Sequence, residues 1–187
     1  MKPDVNTALV VIDAQEGIKE AFHWGGNRNN PEAEQNIAAL LQQWRQLKRP
    51  IVIVQHCSMS ATSPLRSSHP GNQLMGFVNR QPHEKLICKS TANAFINTDL
   101  EQYIKHEKIS SLIITGFVTN NSVEATARMA GDLGIETIVV ADATACFDKL
   151  AMDGIKYTSD VVHQLSLANL KDEYASIKTT HEILHSI

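Results

Sequence analysis

Five apolar runs of strand length, dominated by Val, Ile and Leu, recur along the chain and constrain its fold more than any other feature. They are "TALVVID" (7–13), "PIVIVQH" (50–56), "KLICKS" (85–90), "SSLIITG" (110–116) and "ETIVVAD" (136–142), with "YASIKTT" (174–180) a weaker sixth. Runs that stay apolar at successive positions suit strands covered on both faces, because a strand with one wet face alternates apolar and polar residues. Between the runs lie segments of helical pattern at 31–49, 98–108, 121–134 and 158–173. Strand and helix in alternation predict parallel strands joined by crossover helices. The helix ends agree: Pro31 can open the first helix with Asn30 as its cap, Thr98 and Glu101 form a T-x-x-E capping box, and Gly134 can close the helix that begins near Ser122. The 187 residues fit one domain, 1–187, long enough to bury about 70% of its unfolded surface.

Composition narrows the class of function. With 43% hydrophobic and 20% charged residues and a formal charge of -3, the chain reads as a soluble globular protein without a basic face for nucleic acid. The start, "MKPDVNTALVVIDAQ", holds one Lys and an apolar run broken by Asp13, which fits neither a signal peptide nor a membrane span. A cytoplasmic protein with no membrane partner is expected. Cys57, Cys88 and Cys146 are odd in number and far apart, with no C-x-x-C pair and no zinc-site spacing, so they are expected as reduced thiols. The segment 58–82 is Ser/Pro/Gly-rich and without clear period, and a loop of that length is expected to border the site.

In open parallel sheets ligands bind outside the carboxyl ends of the strands. That rule selects Asp13, His56, Lys89, the segment 119–122 and Asp142. Asp13 closes an apolar strand, where a carboxylate serves either as a loop anchor or as a general acid/base. Lys89 follows "LIC"; a buried ammonium requires a counter-charge, and Asp13 is the nearest the topology offers, so a plain ion pair is the alternative to catalysis. Period-2 alternation turns Cys88 away from Lys89 and predicts a core thiol. Ser122 in "GFVTNNSVEATAR" (116–128) stands at a helix start, where a serine is by default an N-cap. The functional alternative is that the amides and positive potential of a helix N-terminus stabilise an anionic nucleophile or an oxyanion there. There is no G-x-S-x-G and no glycine-rich phosphate loop.

Taken together, "ALVVIDAQ" (8–15), "SPLRSSHPGNQL" (63–74), "KSTANAFINTDLE" (89–101), "LIITGFVTNNSVEATARMAGDLG" (112–134), "VVADATACFD" (139–148) and "HQLSLANLKDEYASIKTTHEIL" (163–184) resemble the isochorismatase-like family of cysteine hydrolases over nearly the whole chain. The resemblance implies an α/β/α sandwich on a six-stranded parallel sheet and a hydrolase of a small amide, imide, ester or enol ether. Asp13 matches the family's acid/base, Lys89 its lysine, and Ser122 falls at its cysteine nucleophile. A non-proline cis peptide is implied at Phe117-Val118, directing the amides of Val118 and Ser122 into an oxyanion hole. The family's nicotinamidases hold a metal through an Asp-x-His and a further His after the second strand; here "QHCSMSATS" stands instead, so no catalytic metal and no cofactor are expected.

The serine is the main departure. A thiol ionises near pH 8.5 and an alkanol is several units less acidic, so Ser122 cannot inherit a thiolate mechanism. Three explanations stand open: an engineered or decayed, catalytically silent binding module; a serine hydrolase in which Asp13 removes the hydroxyl proton; or a reaction without a nucleophile, as when isochorismatases hydrolyse a vinyl ether with the aspartate as general acid. Phe22, Trp24, His56, Cys57 and Phe147 are candidates for the pocket lining, each with ordinary packing as its alternative. The family's habit also implies a homodimer or homotetramer, and Trp44, Phe77 and "QLMGFVN" (73–79) are expected in exposed segments, with a neighbouring subunit covering the loop 58–82.

Overall fold

The computed structural model describes residues 3–187. Its strands are β1 (Thr7–Ile12), β2 (Ile51–His56), β3 (Lys85–Lys89), β4 (Ser111–Phe117), β5 (Glu136–Ala145), a short hairpin of β6 (Lys149–Leu150) and β7 (Lys156–Tyr157), and β8 (Ser176–Lys178). Six of them form one sheet in the order β3-β2-β1-β4-β5-β8, every pairing parallel. The helices are α1 (Ala21–Trp24), α2 (Ala33–Gln46), α3 (Leu100–His106), α4 (Glu124–Asp132), α5 (Ser159–Leu170) and α6 (Thr180–Leu184).

The doubly apolar strands are explained by what covers them. Leu9, Val11, Ile53, Ile113 and Ile138 pack on one face with Ile37, Leu40 and Trp44 of α2 and Ile183 of α6. The alternate residues Val10, Ile12, Val52, Ile114 and Val139 meet Leu100 of α3, Ala127 of α4 and Leu167 of α5 on the other. The architecture is thus the expected α/β/α sandwich on six parallel strands. Among the described residues no helix is long and apolar enough to cross a membrane.

Local details differ from the sequence reading where tertiary demands outweigh local ones. Asn30 does not cap α2; its backbone has φ 44°, and its side-chain amide donates to the carbonyls of Ala141 (2.9 Å) and Thr144 (2.7 Å). Those carbonyls need a donor because the β4–β5 register jumps from Ile114 opposite Val139 to Gly116 opposite Thr144, and Asn36 serves the carbonyl of Asp142 in the same excursion. The box at Thr98 is not formed: its hydroxyl donates to the Ala94 carbonyl, and the reciprocal box is made by Thr179 and Glu182 at α6. Cys88 is exposed and not a core thiol, because β3 is the sheet edge and its outer face is uncovered. Trp44 is buried, with its indole donating to the Thr7 carbonyl at 3.0 Å, and Met75 and Val78 are buried too. Exposed apolar side chains gather instead at the hairpin, where Leu150 is 75% and Met152 106% exposed.

One glycine fixes the approach of the two central strands. Gly116 has φ +114°, and a Cβ there would stand 2.0 Å from the Ile12 carbonyl oxygen, which is backbone and cannot yield. Gly116→Ala is therefore expected to destabilise the fold by at least about 3 kcal/mol, read as a fall in the urea midpoint.

Candidate active site

The order of the sheet reverses at β1, whose neighbours β2 and β4 are reached in opposite directions, and a crevice opens there at the carboxyl edge. Asp13 directly follows β1 with φ 50°, a left-handed conformation tolerated by a short polar residue. Lys89 ends β3, two strands away, and its long side chain reaches the carboxylate of Asp13. Its ammonium stands 2.8 Å from Asp13 Oδ2, 3.1 Å from Ser122 Oγ, 3.2 Å from the Thr91 carbonyl and 3.3 Å from His56 Nδ1. The Lys89 and Asp13 side chains are 0% and 3% exposed. Three N–H donors thus meet four acceptors, which is what a desolvated ammonium requires. The second carboxylate oxygen, Asp13 Oδ1, is buried and has no hydrogen-bond partner among the described residues.

Ser122 lies inside a π-helical turn, Thr119–Val123, that joins β4 to α4. The expected N-cap is not made: α4 follows with no side-chain cap, since Val123 before it is already helical and a cap needs an extended residue. The hydroxyl instead accepts from Lys89. The Phe117-Val118 peptide just upstream is cis.

His56 is held by its backbone. Gln15, fully buried, accepts from the His56 amide through Oε1 at 2.7 Å and donates to the His56 carbonyl at 3.0 Å. Asn72 donates to the same carbonyl and to that of Leu65, tying the loop 58–82 to the end of β2. Burial, and then the Lys89 charge, push the His56 imidazole below its ordinary value. Because an ammonium cannot accept, Nδ1 is the acceptor in that contact, an assignment made from the partner. Burial likewise lowers His163 of α5, whose Nδ1 faces the Thr119 hydroxyl at 2.9 Å.

A cavity of about 320 Å³ opens on this cluster. Asp13, His56, Val118 and Ser122 share its wall with Ile18, Trp24, Leu65 and Phe117. Trp24 is fixed by an indole hydrogen bond to the Gly17 carbonyl at 2.8 Å and by stacking on Phe147, whose ring centroid is 6.3 Å away. Of the five expected lining residues, then, Trp24 and His56 are on the wall and Phe147 stands behind it. Phe22 is not on the wall; it is fully exposed on the outer side of α1, whose cavity side carries His23 and Trp24. Cys57 is also absent from the wall and sits beside Asn72. Asp142 does not line this cavity; its carboxylate accepts from the Thr180 amide at 2.7 Å and hydroxyl at 2.9 Å, where α6 begins. Sequence reasoning missed Gln15, Thr91 and Asn72; only Gln15, polar and two residues after a strand-end Asp, carried a readable signal, whereas the cavity-lining Asn121 falls in the expected segment 119–122. Among the described residues, no group of three His, Cys, Asp or Glu side chains could hold a metal ion.

A family model, the Isochorismatase domain, matches residues 7–182. The chain belongs to the isochorismatase family. It is 34% identical over 178 residues to the isochorismatase family protein YrdC of Bacillus subtilis, covering 95% of this chain and 94% of that one. YddQ of the same organism is 33% identical over 185 residues, covering 96% and 99%. A crystal structure of an isochorismatase-family protein from Chromobacterium violaceum superposes with a TM-score of 0.93 at 37% identity, covering 100% of this chain and 96% of that one. The protein therefore has the fold of an isochorismatase-family hydrolase.

Two outcomes follow from the geometry. Asp13→Ala strands a buried ammonium and is expected to cost about 3–5 kcal/mol, whereas Ser122→Ala leaves Lys89 three acceptors and is expected to cost no more than about 1 kcal/mol, both read by chemical denaturation. As for pH, the unfolded chain takes up protons at His56 and His163 near pH 6.5, where the folded chain, with both values lowered, does not. Stability is thus whole above pH 6.5 and falls as the pH drops through that value towards the folded ones. A lower urea midpoint at pH 5.5 than at pH 7.5 is expected, with a smaller difference in the His56→Asn, His163→Asn double variant.

Proposed function

We propose that the protein hydrolyses a small amide, imide, ester or enol ether, with Asp13, Lys89 and Ser122 as the reacting cluster. The observation that carries the reading is the buried Lys89 ammonium, 2.8 Å from Asp13 and 3.1 Å from Ser122 Oγ, two residues that share the wall of one cavity. In this reading Asp13 is the acid/base, its unpartnered Oδ1 being the atom that takes or gives the proton. Lys89 stabilises negative charge developing on the oxygen at 122, and the amides of Val118 and Ser122 receive the substrate's oxyanion. For a carbonyl substrate, Ser122 Oγ bonds to carbon as its proton passes to Asp13; that proton then goes to the leaving group as the C–N or C–O bond breaks, and water releases the acyl group. For an enol ether, Asp13 protonates the substrate directly and Ser122 makes no covalent bond.

A second reading, a catalytically silent small-molecule binding module, is favoured by the residue at 122 itself, because a hydroxyl beside one ammonium is far less ionised than a thiol. A panel of small amides, imides, esters and isochorismate decides between them, run on the protein, on Ser122→Cys and on Asp13→Ala. Turnover by the protein that Asp13→Ala lowers at least about a hundredfold supports the hydrolase. Turnover gained only in Ser122→Cys supports a site that has lost its nucleophile. No turnover in any of the three, with a small ligand tightly bound, supports the binding module.

The reading also includes cytoplasmic action and a homo-oligomer, with the apolar hairpin residues Leu150 and Met152 as the surface a second copy would cover. A monomeric mass at micromolar concentration counts against the oligomer.

A further inference from the structure

The π-turn Thr119–Val123 has two sides, and a cavity lies on each. Asn121 and Ser122 line the active-site cavity, whereas Asn120, their neighbour in the chain, lines a second cavity of about 270 Å³ walled by the β6–β7 hairpin and α5. This second cavity is supplied with donors and poor in free acceptors. Among the described residues, the Lys149 ammonium has no carboxylate partner, and the side chains of Tyr157 and Asn169 make no hydrogen bond. The Asn120 amide is idle too: its Oδ1 is buried without a donor, which leaves its NH2 as the end open to a ligand. The one carboxylate on the wall, Glu124, is already engaged by Arg128 at 2.8 and 3.0 Å and by the Ser166 hydroxyl at 2.6 Å. The uncompensated charge is therefore the single ammonium of Lys149. Lys149 stands opposite Tyr157 across the hairpin and Leu150 opposite Lys156, so Leu150 belongs to the other face and not to this cavity.

We propose that this cavity binds a small apolar monocarboxylate, a single ring or short branched chain carrying one carboxylate, and that the bound anion alters the reactivity of position 122. Lys149 pairs with the carboxylate, the amides of Asn120 and Asn169 and the Tyr157 hydroxyl donate to its oxygens, and the apolar body packs on Val162 and Leu165. Two carboxylate oxygens offer about four acceptor sites, enough for these donors. A dianion leaves one charge without a partner, and a neutral amide forfeits the pairing with Lys149. Coupling follows from connectivity. Asn120 and Ser122 belong to one turn, closed by the Asn121 and Val123 amides donating to the Val118 carbonyl at 3.1 and 3.3 Å, so a ligand that fixes Asn120 restrains the turn that carries the side chain at 122. Neither part rests on the hydrolase reading.

Calorimetric titration with phenylacetate and its neutral counterpart phenylacetamide tests the site. Phenylacetate is expected to bind at least about fivefold tighter than phenylacetamide, and to lose at least about fivefold in Lys149→Met, a change at an exposed side chain. The coupling is read from the rate of iodoacetamide alkylation at residue 122 in Ser122→Cys. That rate is expected to change at least about twofold on saturation with phenylacetate, and to stay constant when Lys149→Met is added. Phenylacetate that binds Lys149→Met as tightly as the unaltered protein sits elsewhere, the active-site cavity included, and overturns the inference. Equal affinities for the acid and the amide, or no binding of either, overturn it as well. Binding that depends on Lys149 but leaves the alkylation rate unchanged overturns the coupling.

Discussion

The Lys89 ammonium is wholly buried, and its charge is tolerated there because Asp13 stands 2.8 Å away with Ser122, Thr91 and His56 completing the shell. An isolated ammonium in such a place would lose its proton or unfold the edge of the sheet. Each partner is delivered by a different element: Asp13 by β1, His56 by β2, Lys89 and Thr91 by β3 and the turn beyond it, Ser122 by the π-turn after β4. The ion pair therefore couples the ends of four strands, and the site exists only when those strands are in register.

Register in turn depends on features with no catalytic character. Gly116 lets β4 approach β1 so closely that any side chain would strike the Ile12 carbonyl. That contact sets where the chain turns into the cavity at Val118 and Ser122. The excursion in β5 is stabilised by Asn30 and Asn36, and Gln15 and Asn72 hold His56 by its own backbone. The function proposed here thus draws on a frame of buried amide side chains as much as on the charged groups.

The sheet was legible in the sequence because continuous Val/Ile runs have few other uses, and the strand-end rule then brought Asp13, Lys89 and Ser122 to one edge. What was not legible depends on neighbours distant in the chain. Trp44 was expected in an exposed segment, yet it is buried and its indole finds the Thr7 carbonyl 37 positions away. Cys88 was misplaced because alternation tells which side a residue faces, not whether anything covers that side of an edge strand. The same limit explains Phe22: a helix of four residues has no period from which to read its inward face. Asn30 seemed a cap by local preference, but the freed carbonyls of β5 make a stronger claim on its amide.

That Lys89 governs the chemistry of whatever atom occupies position 122 is the center of this account. Its most direct test is the ionisation of a thiol placed there: the pH profile of iodoacetamide alkylation of the Ser122→Cys variant, followed on the peptide that contains residue 122. A half-ionisation point at least about one unit below the ordinary 8.5 is expected, returning to 8.5 or above when Lys89→Met is added. A thiol that ionises at or above 8.5 with Lys89 in place would contradict the account.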